Sequence, residues 1–280
     1  MHEDLKQYTD AELFAPVSHS DAESEKIAAP RYSYWKSVFR VFFRKKINII
    51  ALALLLFVIL FAYIYPALTT YDPYANLLDS NAKHLGPSQA LSYFGHELRW
   101  ILGSGASGES TFDAVWNGAG ISISLAFICA AISMTIGVML GAVWGFSKKV
   151  DMVMMEVYTI IGNVPMILII SVLSMLFSPT FWTMVFALTI VGWLSIAYFI
   201  RTQVLIIRDR EYNLASRCLG TSIFKIATKN ILPFMTSVIV TLLATELPSY
   251  ISYEVFLSYN NLVHTGHQIG DETALLFYPS

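Results

Sequence analysis

The sequence is poor in charge. Of its 280 residues, 14% are Asp, Glu, Lys or Arg and 55% are hydrophobic. Soluble domains carry about 25% charged residues, so a soluble globular class is excluded. Cysteine is scarce too, with two in the chain. That rules out a disulfide scaffold or a cysteine metal cluster. Cys129 falls in an apolar run and Cys218 in a basic segment, so both are expected as unpaired thiols. The sequence has no Walker-type glycine-rich phosphate loop and no Ser/His/Asp or Cys/His arrangement with supporting context. It therefore lacks the means to hydrolyse ATP by itself. His84, His96 and His264 are scattered without metal-ligand spacing, and His264 with His267 is a weak pair, so no metal site is expected.

What the chain does have is long apolar runs. A bilayer core takes about 20 mostly apolar residues per helix. Five stretches meet that requirement: Ile47 to Pro66, Ile121 to Phe146, Met152 to Phe177, Phe181 to Ile200, and Phe234 to Leu257. The last is the least apolar, because it carries Glu246, Pro248 and Glu254. The first run is too long for a signal-peptide core and is expected to persist as a span. The expected fold class is an all-α polytopic membrane protein with five visible spans. Ala274 to Ser280 looks like the opening of a sixth span that is missing or truncated.

The organisation follows from composition. Residues 1–31 read as a polar tail, and 32–46 as an amphipathic interfacial segment. In the latter Trp35, Phe39, Phe42 and Phe43 recur at helical spacing beside a stripe of Lys36, Arg40 and Arg44, which suits a helix lying against lipid phosphates. A first transmembrane helix over 47–66 precedes a connector over 67–116, rich in the turn formers Asp72, Pro73, Gly86 and Pro87. A core over 117–258 follows, and then an atypical or truncated segment over 259–280. Of the 18 basic residues, Lys83 and Arg99 alone fall in the connector. The others sit in the tail and interfacial segment, at Lys148-Lys149, or between Arg201 and Lys229. Counting positive charge inside, the N-terminus is expected in the cytoplasm, the connector and the 259–280 segment outside, and 201–233 inside.

The segment 201–233 is too polar to span and too rich in helix formers for a loose loop. Between Asn213 and Asn230 there is no proline, and the one glycine is Gly220. Leu214, Cys218 and Leu219 offer one apolar face, and Ile223, Phe224 and Ala227 another. A break at Gly220 predicts two short helices joined by a turn, with Pro233 in the first turn of the next span, where proline is tolerated. From composition alone this is either a rigid docking protrusion or a basic loop that holds the spans in place. Glu246 and Glu254 likewise admit two readings, lining of a polar path or local hydrogen bonding within the bundle. Gly137, Gly141 and Gly145 lie four apart on one helix face, a pattern for close helix packing.

Glu211-Tyr212-Asn213-Leu214-Ala215-Ser216-Arg217-Cys218-Leu219-Gly220, with Ile231-Leu232-Pro233 beyond it, resembles the coupling-loop signature of ABC importer permeases. That family has a Glu-Ala-Ala triplet, a glycine four residues after its last alanine, and a Leu-Pro about a dozen further on. Ala215, Gly220, Leu232 and Pro233 match in register. Leu214 stands at the expected glutamate and Ser216 at the second alanine, which moves the grip from charge towards shape. Leu102-Gly103, Gly108 and Gly118-Ala119 resemble the family's entry into its core block, although Ser104, Gly105, Glu109 and Ser110 replace its charged residues there. Asp151, Glu156 and Pro165 also fit. With Tyr253 to Ser258, the chain looks most like the second permease of oligopeptide and dipeptide importers, in the Gram-positive oligopeptide branch, so the resemblance implies ATP-driven import of oligopeptides.

The resemblance implies a type I ABC importer permease fold and a subunit that forms half of a translocation pathway in a bacterial plasma membrane. It assigns coupling to an ATPase subunit to Glu211, Leu214, Ala215, Ser216, Gly220, Ile223, Leu232 and Pro233. Glu246 and Glu254 are candidates for pathway lining. It implies no catalytic residue and no cofactor in this chain, with ATP and Mg held by partner subunits. Its partners would be a homologous permease, two nucleotide-binding ATPase subunits, an external lipid-anchored peptide-binding protein and membrane lipids, with no nucleic acid. Dipeptides, nickel or another small solute are alternative cargoes. A non-transporting scaffold is a more distant reading, and a secondary transporter is disfavoured by the lack of an internal repeat.

Overall fold

The computed structural model describes residues 34–74, 76–177 and 180–259. The tail over 1–31, residues 260–280 with His264 and His267, and the incipient sixth span lie outside them. The chain divides into two compact units, residues 1–57 and 58–280.

In the first unit, α1 (Tyr34–Arg44) carries Trp35, Phe39 and Phe43 in file, their rings 6.4 and 6.3 Å apart. Lys36, Arg40 and Arg44 form the second stripe that the spacing predicts. The side-chain amide of Asn48 donates to Phe42 O at 3.1 Å, closing the end of α1 as the chain turns into α2 (Lys46–Leu68). The apolar residues of α2 run all round the helix, as befits one immersed in lipid.

The second unit takes in the rest of α2 and everything after it. A connector over 69–110 folds on itself around α3 (Pro87–Phe94). Ser104 is its knot: its Oγ donates to Ala82 O and accepts from Leu85 N, while its own N–H donates to Leu85 O. Gly103 (φ 83°) and Gly108 (φ 79°) occupy left-handed conformations. A Cβ at Gly103 would lie 2.3 Å from Leu85 O, and one at Gly108 2.7 Å from Asn76 Cβ. Both turns therefore require glycine. Tyr93 Oη donates to Asp79 Oδ2 at 2.6 Å, which holds the Asp79 carboxyl below the usual aspartate range.

Helix α4 (Thr111–Phe146) starts ten residues ahead of the apolar run that marks it in the sequence. Ser110 is the reason. Its Oγ accepts from Asp113 N and donates to Arg99 O, so the helix is capped where its residues are still polar. At 36 residues α4 is about 54 Å long, well beyond a hydrocarbon core of about 30 Å. Asp113, fully buried, accepts from Tyr65 Oη and from the Arg99 guanidinium. This fastens the connector to both α2 and α4.

The expected third span is not one straight helix. It breaks into α5 (Lys148–Gly162) and α6 (Met166–Leu176), bent by 77°. Pro165 has no N–H to continue the ladder and disfavours helical backbone at Val164. Asn163 turns its amide back onto Thr159 O at 2.6 Å. Helix α7 (Phe181–Ile207), capped by Thr180, outruns its expected end at Ile200 by two turns. The chain continues through α8 (Glu211–Cys218), α9 (Ile223–Ile226), a π turn over Ala227–Ile231, and α10 (Leu232–Phe234). It then enters α11 (Thr236–Tyr259). Pro233 thus lies not in the first turn of the last span but in α10, before a 74° bend. Among the described residues, three helices are long and apolar enough to cross a membrane, or up to five if each bent pair is one span.

The centre of this unit is the contact of α4 with α7. A Cβ at Gly137 would lie 2.6 Å from Ile196, one at Gly141 2.5 Å from Ala197 O, and one at Gly145 2.7 Å from Val204. The matched numbering shows the two helices running parallel, their ends together. Around this seam Leu125, Cys129, Leu188, Tyr250 and Leu257 form one apolar cluster. Phe146, Ile200, Val204, Ile226 and Ile231 form a second. Replacing Gly141 with Leu is expected to part the helices at a cost of about 1–3 kcal/mol or more. Gly118→Ala, at a helical site with open space beyond it, should be neutral or stabilising by up to about 1 kcal/mol. Thermal midpoints of the detergent-solubilised protein test this; equal midpoints for Gly141→Leu and wild type would remove the close-contact account.

Candidate functional site

The segment between α7 and α11 is built from its ends inward. As α7 closes, Asn213, fully buried, donates from Nδ2 to Ile207 O at 3.0 Å. Its N–H bonds Arg210 O at 2.9 Å, which starts α8. Asn230 reaches across from the π turn to Asn213 Oδ1 and Ser216 Oγ, both at 3.4 Å. The Arg210 guanidinium lies 5.3 Å from the centre of the Phe234 ring. Below them Ile226, Ala227, Ile231 and Met235 are buried against Phe146, Val204 and Ile207. The segment is thus rooted in the core shared by α4 and α7.

Helix α8 ends as Gly220 leads one to expect. Gly220 N donates to Arg217 O and Thr221 N to Ser216 O, with Gly220 at φ 77°. This paired closure is a Schellman motif, and it needs a residue at ease in the left-handed region. A Cβ at Gly220 would meet nothing within 4 Å, so within this chain the position is set by conformation and not by space.

The residues that the sequence marks for coupling separate into tip and root. Glu211, Leu214, Ala215, Gly220 and Ile223 are exposed, and Ser216 is half-buried beside them. Leu232 instead packs on the buried cluster, and Pro233 lies exposed at the bend before α11. The second apolar face also divides. Ile223 and Phe224 point outward, whereas Ala227 is buried in the root. Leu219, 86% exposed at the turn itself, belongs to the tip. Composition missed the two asparagines that brace the protrusion, because their partners lie on other elements. The i, i+4 pattern marks apolar positions without saying which of two faces meets the core.

Glu254 is buried on α11, and its Oε1 accepts from Ser122 Oγ of α4 at 2.9 Å. Oε2 is enclosed without a hydrogen-bond partner. Glu246 is half-buried two turns earlier. The structure does not bring the two together. Between them Tyr250 sits over Gly192, where a Cβ would meet its hydroxyl at 2.6 Å and Ser133 Oγ at 3.2 Å. Cys129 is buried and Cys218 exposed, both as free thiols.

Comparison with known proteins bears on the whole arrangement. Residues 133–262 match the family described as the binding-protein-dependent transport system inner membrane component. Residues 33–87 match the N-terminal TM domain of oligopeptide transport permease C. The oligopeptide transport system permease protein AmiD of Streptococcus pneumoniae is 44% identical over 255 residues, covering 90% of this chain and 80% of that protein. The oligopeptide transport system permease protein OppC of Bacillus subtilis is 32% identical over 253 residues, covering 89% and 79% respectively. The dipeptide transport system permease protein DppC of the same organism is 31% identical over 252 residues, covering 90% and 75%. The chain belongs to the ABC transporter permeases of the oligopeptide and dipeptide importer family.

Proposed function

We propose that this chain is the permease subunit of an ATP-driven oligopeptide importer in a bacterial plasma membrane. It forms half of the path together with a homologous permease. The observation that carries the coupling role is the α8–Gly220–α9 protrusion, apolar at its exposed tip and anchored by buried residues at its root. A tip bearing Leu214, Leu219, Ile223 and Phe224 is suited to seat in a groove of a nucleotide-binding subunit by shape. Glu211 supplies an acidic group in the first turn of α8. ATP and Mg are held by those subunits, and an external lipid-anchored binding protein delivers the peptide. Oligopeptide is favoured over dipeptide by the 44% identity to AmiD against 31% to a dipeptide permease.

The adjoining ends of α4 and α7 support the orientation. They bring Lys148-Lys149 and the basic segment from Arg201 to Lys229 to one face, which the positive-inside rule assigns to the cytoplasm. On that assignment the connector over 69–110 is external. Nucleotide binding by the ATPase pair moves the two protrusions and shifts the spans between inward-open and outward-open states. Glu254, engaged with Ser122, serves the packing of α11 on α4, and Glu246 is the better candidate for the path.

Gly220→Val forces a β-branched residue to φ 77°, at a cost of about 1–2 kcal/mol, and redirects α9. The variant is expected to insert normally but to recover several-fold less ATPase subunit on co-purification, with peptide uptake falling in step. Undiminished recovery and uptake would sink the docking account. Asn213→Ala removes the bond to Ile207 O, which keeps its bond from Arg210 N, and also the acceptor of Asn230 Nδ2, a loss of about 0.5–1.5 kcal/mol per bond. Tryptic cleavage at Arg217 and Lys225 should then quicken while the helical content of the protein stays the same. An unchanged cleavage rate would remove Asn213 from the bracing role.

A further inference from the structure

A second polar cluster lies where α4, α5 and α7 meet, outside the protrusion. Trp144, near the end of α4 and fully buried, donates its indole N–H to Asp151 Oδ1 at 2.7 Å. Arg201 of α7 grips the same carboxylate with two donors, Nε to Oδ1 at 2.5 Å and Nη2 to Oδ2 at 2.9 Å. Its guanidinium also lies 5.7 Å from the ring centres of both Trp144 and Tyr198. Tyr198 in turn stacks on Tyr158 of α5 at 4.2 Å. Asp151, in the first turn of α5, thus receives three hydrogen bonds from two other helices.

Helix α5 has little else to hold it in register. None of its residues is fully buried. Met154, Met155, Tyr158 and Ile161 only flank the small cluster of Trp144, Leu194 and Ala197. Such an apolar and aromatic contact tolerates sliding, whereas a two-pronged Arg–carboxylate fork fixes both distance and angle. Two turns beyond Arg201, Arg208 donates to Gly145 O at 2.8 Å, and the chain then enters α8. The stem of the protrusion, the end of α4 and the first turn of α5 are therefore braced as one body. The next weak point along that arm is the 77° break at Pro165.

We propose that Asp151 is a positioning residue for energy coupling. Through Arg201 it compels the α5–α6 arm to follow α7 when the α8–α9 protrusion is displaced. Without the fork the protrusion still docks and the ATPase still turns over, but the arm slips. This rests on the permease reading above, and it adds the route by which displacement leaves the protrusion.

The test uses the complete reconstituted transporter, with both permeases, the ATPase subunits and the peptide-loaded binding protein. Four quantities are read: complex recovered, basal ATPase rate, stimulation by loaded binding protein, and peptide imported per ATP. Asp151→Asn and Arg201→Lys are expected to assemble at wild-type yield with unchanged basal ATPase. Peptide imported per ATP should fall about tenfold, in the range of ordinary coupling energies. Asp151→Glu, which keeps two acceptor oxygens, should restore most of that ratio. A wild-type ratio in Asp151→Asn overturns the proposal, as does a loss of import matched by an equal loss of assembled complex. Absence of peptide import by the wild-type transporter would instead strike at the permease reading itself.

Discussion

Inside a bilayer, apolar side chains gain nothing by leaving lipid for one another, so helices hold together where their backbones approach closely enough to pack. Here that approach is made by Gly137, Gly141 and Gly145 of α4 against Ile196, Ala197 and Val204 of α7. The consequences spread outward from this seam. Parallel helices cannot be joined by a short turn, so the chain must return between them, and α5 with α6 makes that return. The two helices end side by side, which creates the buried floor on which Ile226, Ile231 and Met235 rest. Helix α11 then comes back along α4, with Ser122 meeting Glu254. Spoiling the seam would disturb protrusion, arm and return helix together.

Much of this was legible in the sequence, and the reasons are local. An apolar run long enough to cross a bilayer is rare in a soluble core, so the spans stood out. Glycines spaced by four announced a packed face, and the crowding around Gly141 is the physical form of that pattern. The isolated Gly220 in a helix-friendly stretch marked a turn, because a left-handed residue needs no partner far away. The unread features share the opposite property. Asp113 with Arg99 and Tyr65, or Asp151 with Arg201, join residues distant along the chain, and no spacing within one element records such a pairing. The early start of α4 was hidden because Asp113 and Asn117 are polar yet lie in a well-capped helix. The break at Pro165 was visible as a residue but not as an angle.

Function divides along the same lines. The tip of the protrusion, at Leu214, Leu219, Ile223 and Phe224, is exposed and apolar. The root is buried and braced by two asparagine amides, Asn213 Nδ2 on Ile207 O and Asn230 Nδ2 on Asn213 Oδ1. The π turn over Ala227–Ile231 belongs to the root. Its wider closure, with Leu232 N bonded to Ala227 O, carries the chain from the protrusion into the bend that precedes α11.

The connector over 69–110 is fastened at its base and knotted within. Thr111 N bonds Gly103 O, Asp113 ties Arg99 to Tyr65, and Ser104 holds Ala82 and Leu85. Its outer residues, such as Leu78 and Leu98, take no part in these ties and are largely exposed. Mutational drift is therefore unevenly constrained across the molecule. Substitutions on that outer surface leave the knot and the helix seam untouched, so this face of the connector can vary widely while the packed helices behind it keep their contacts.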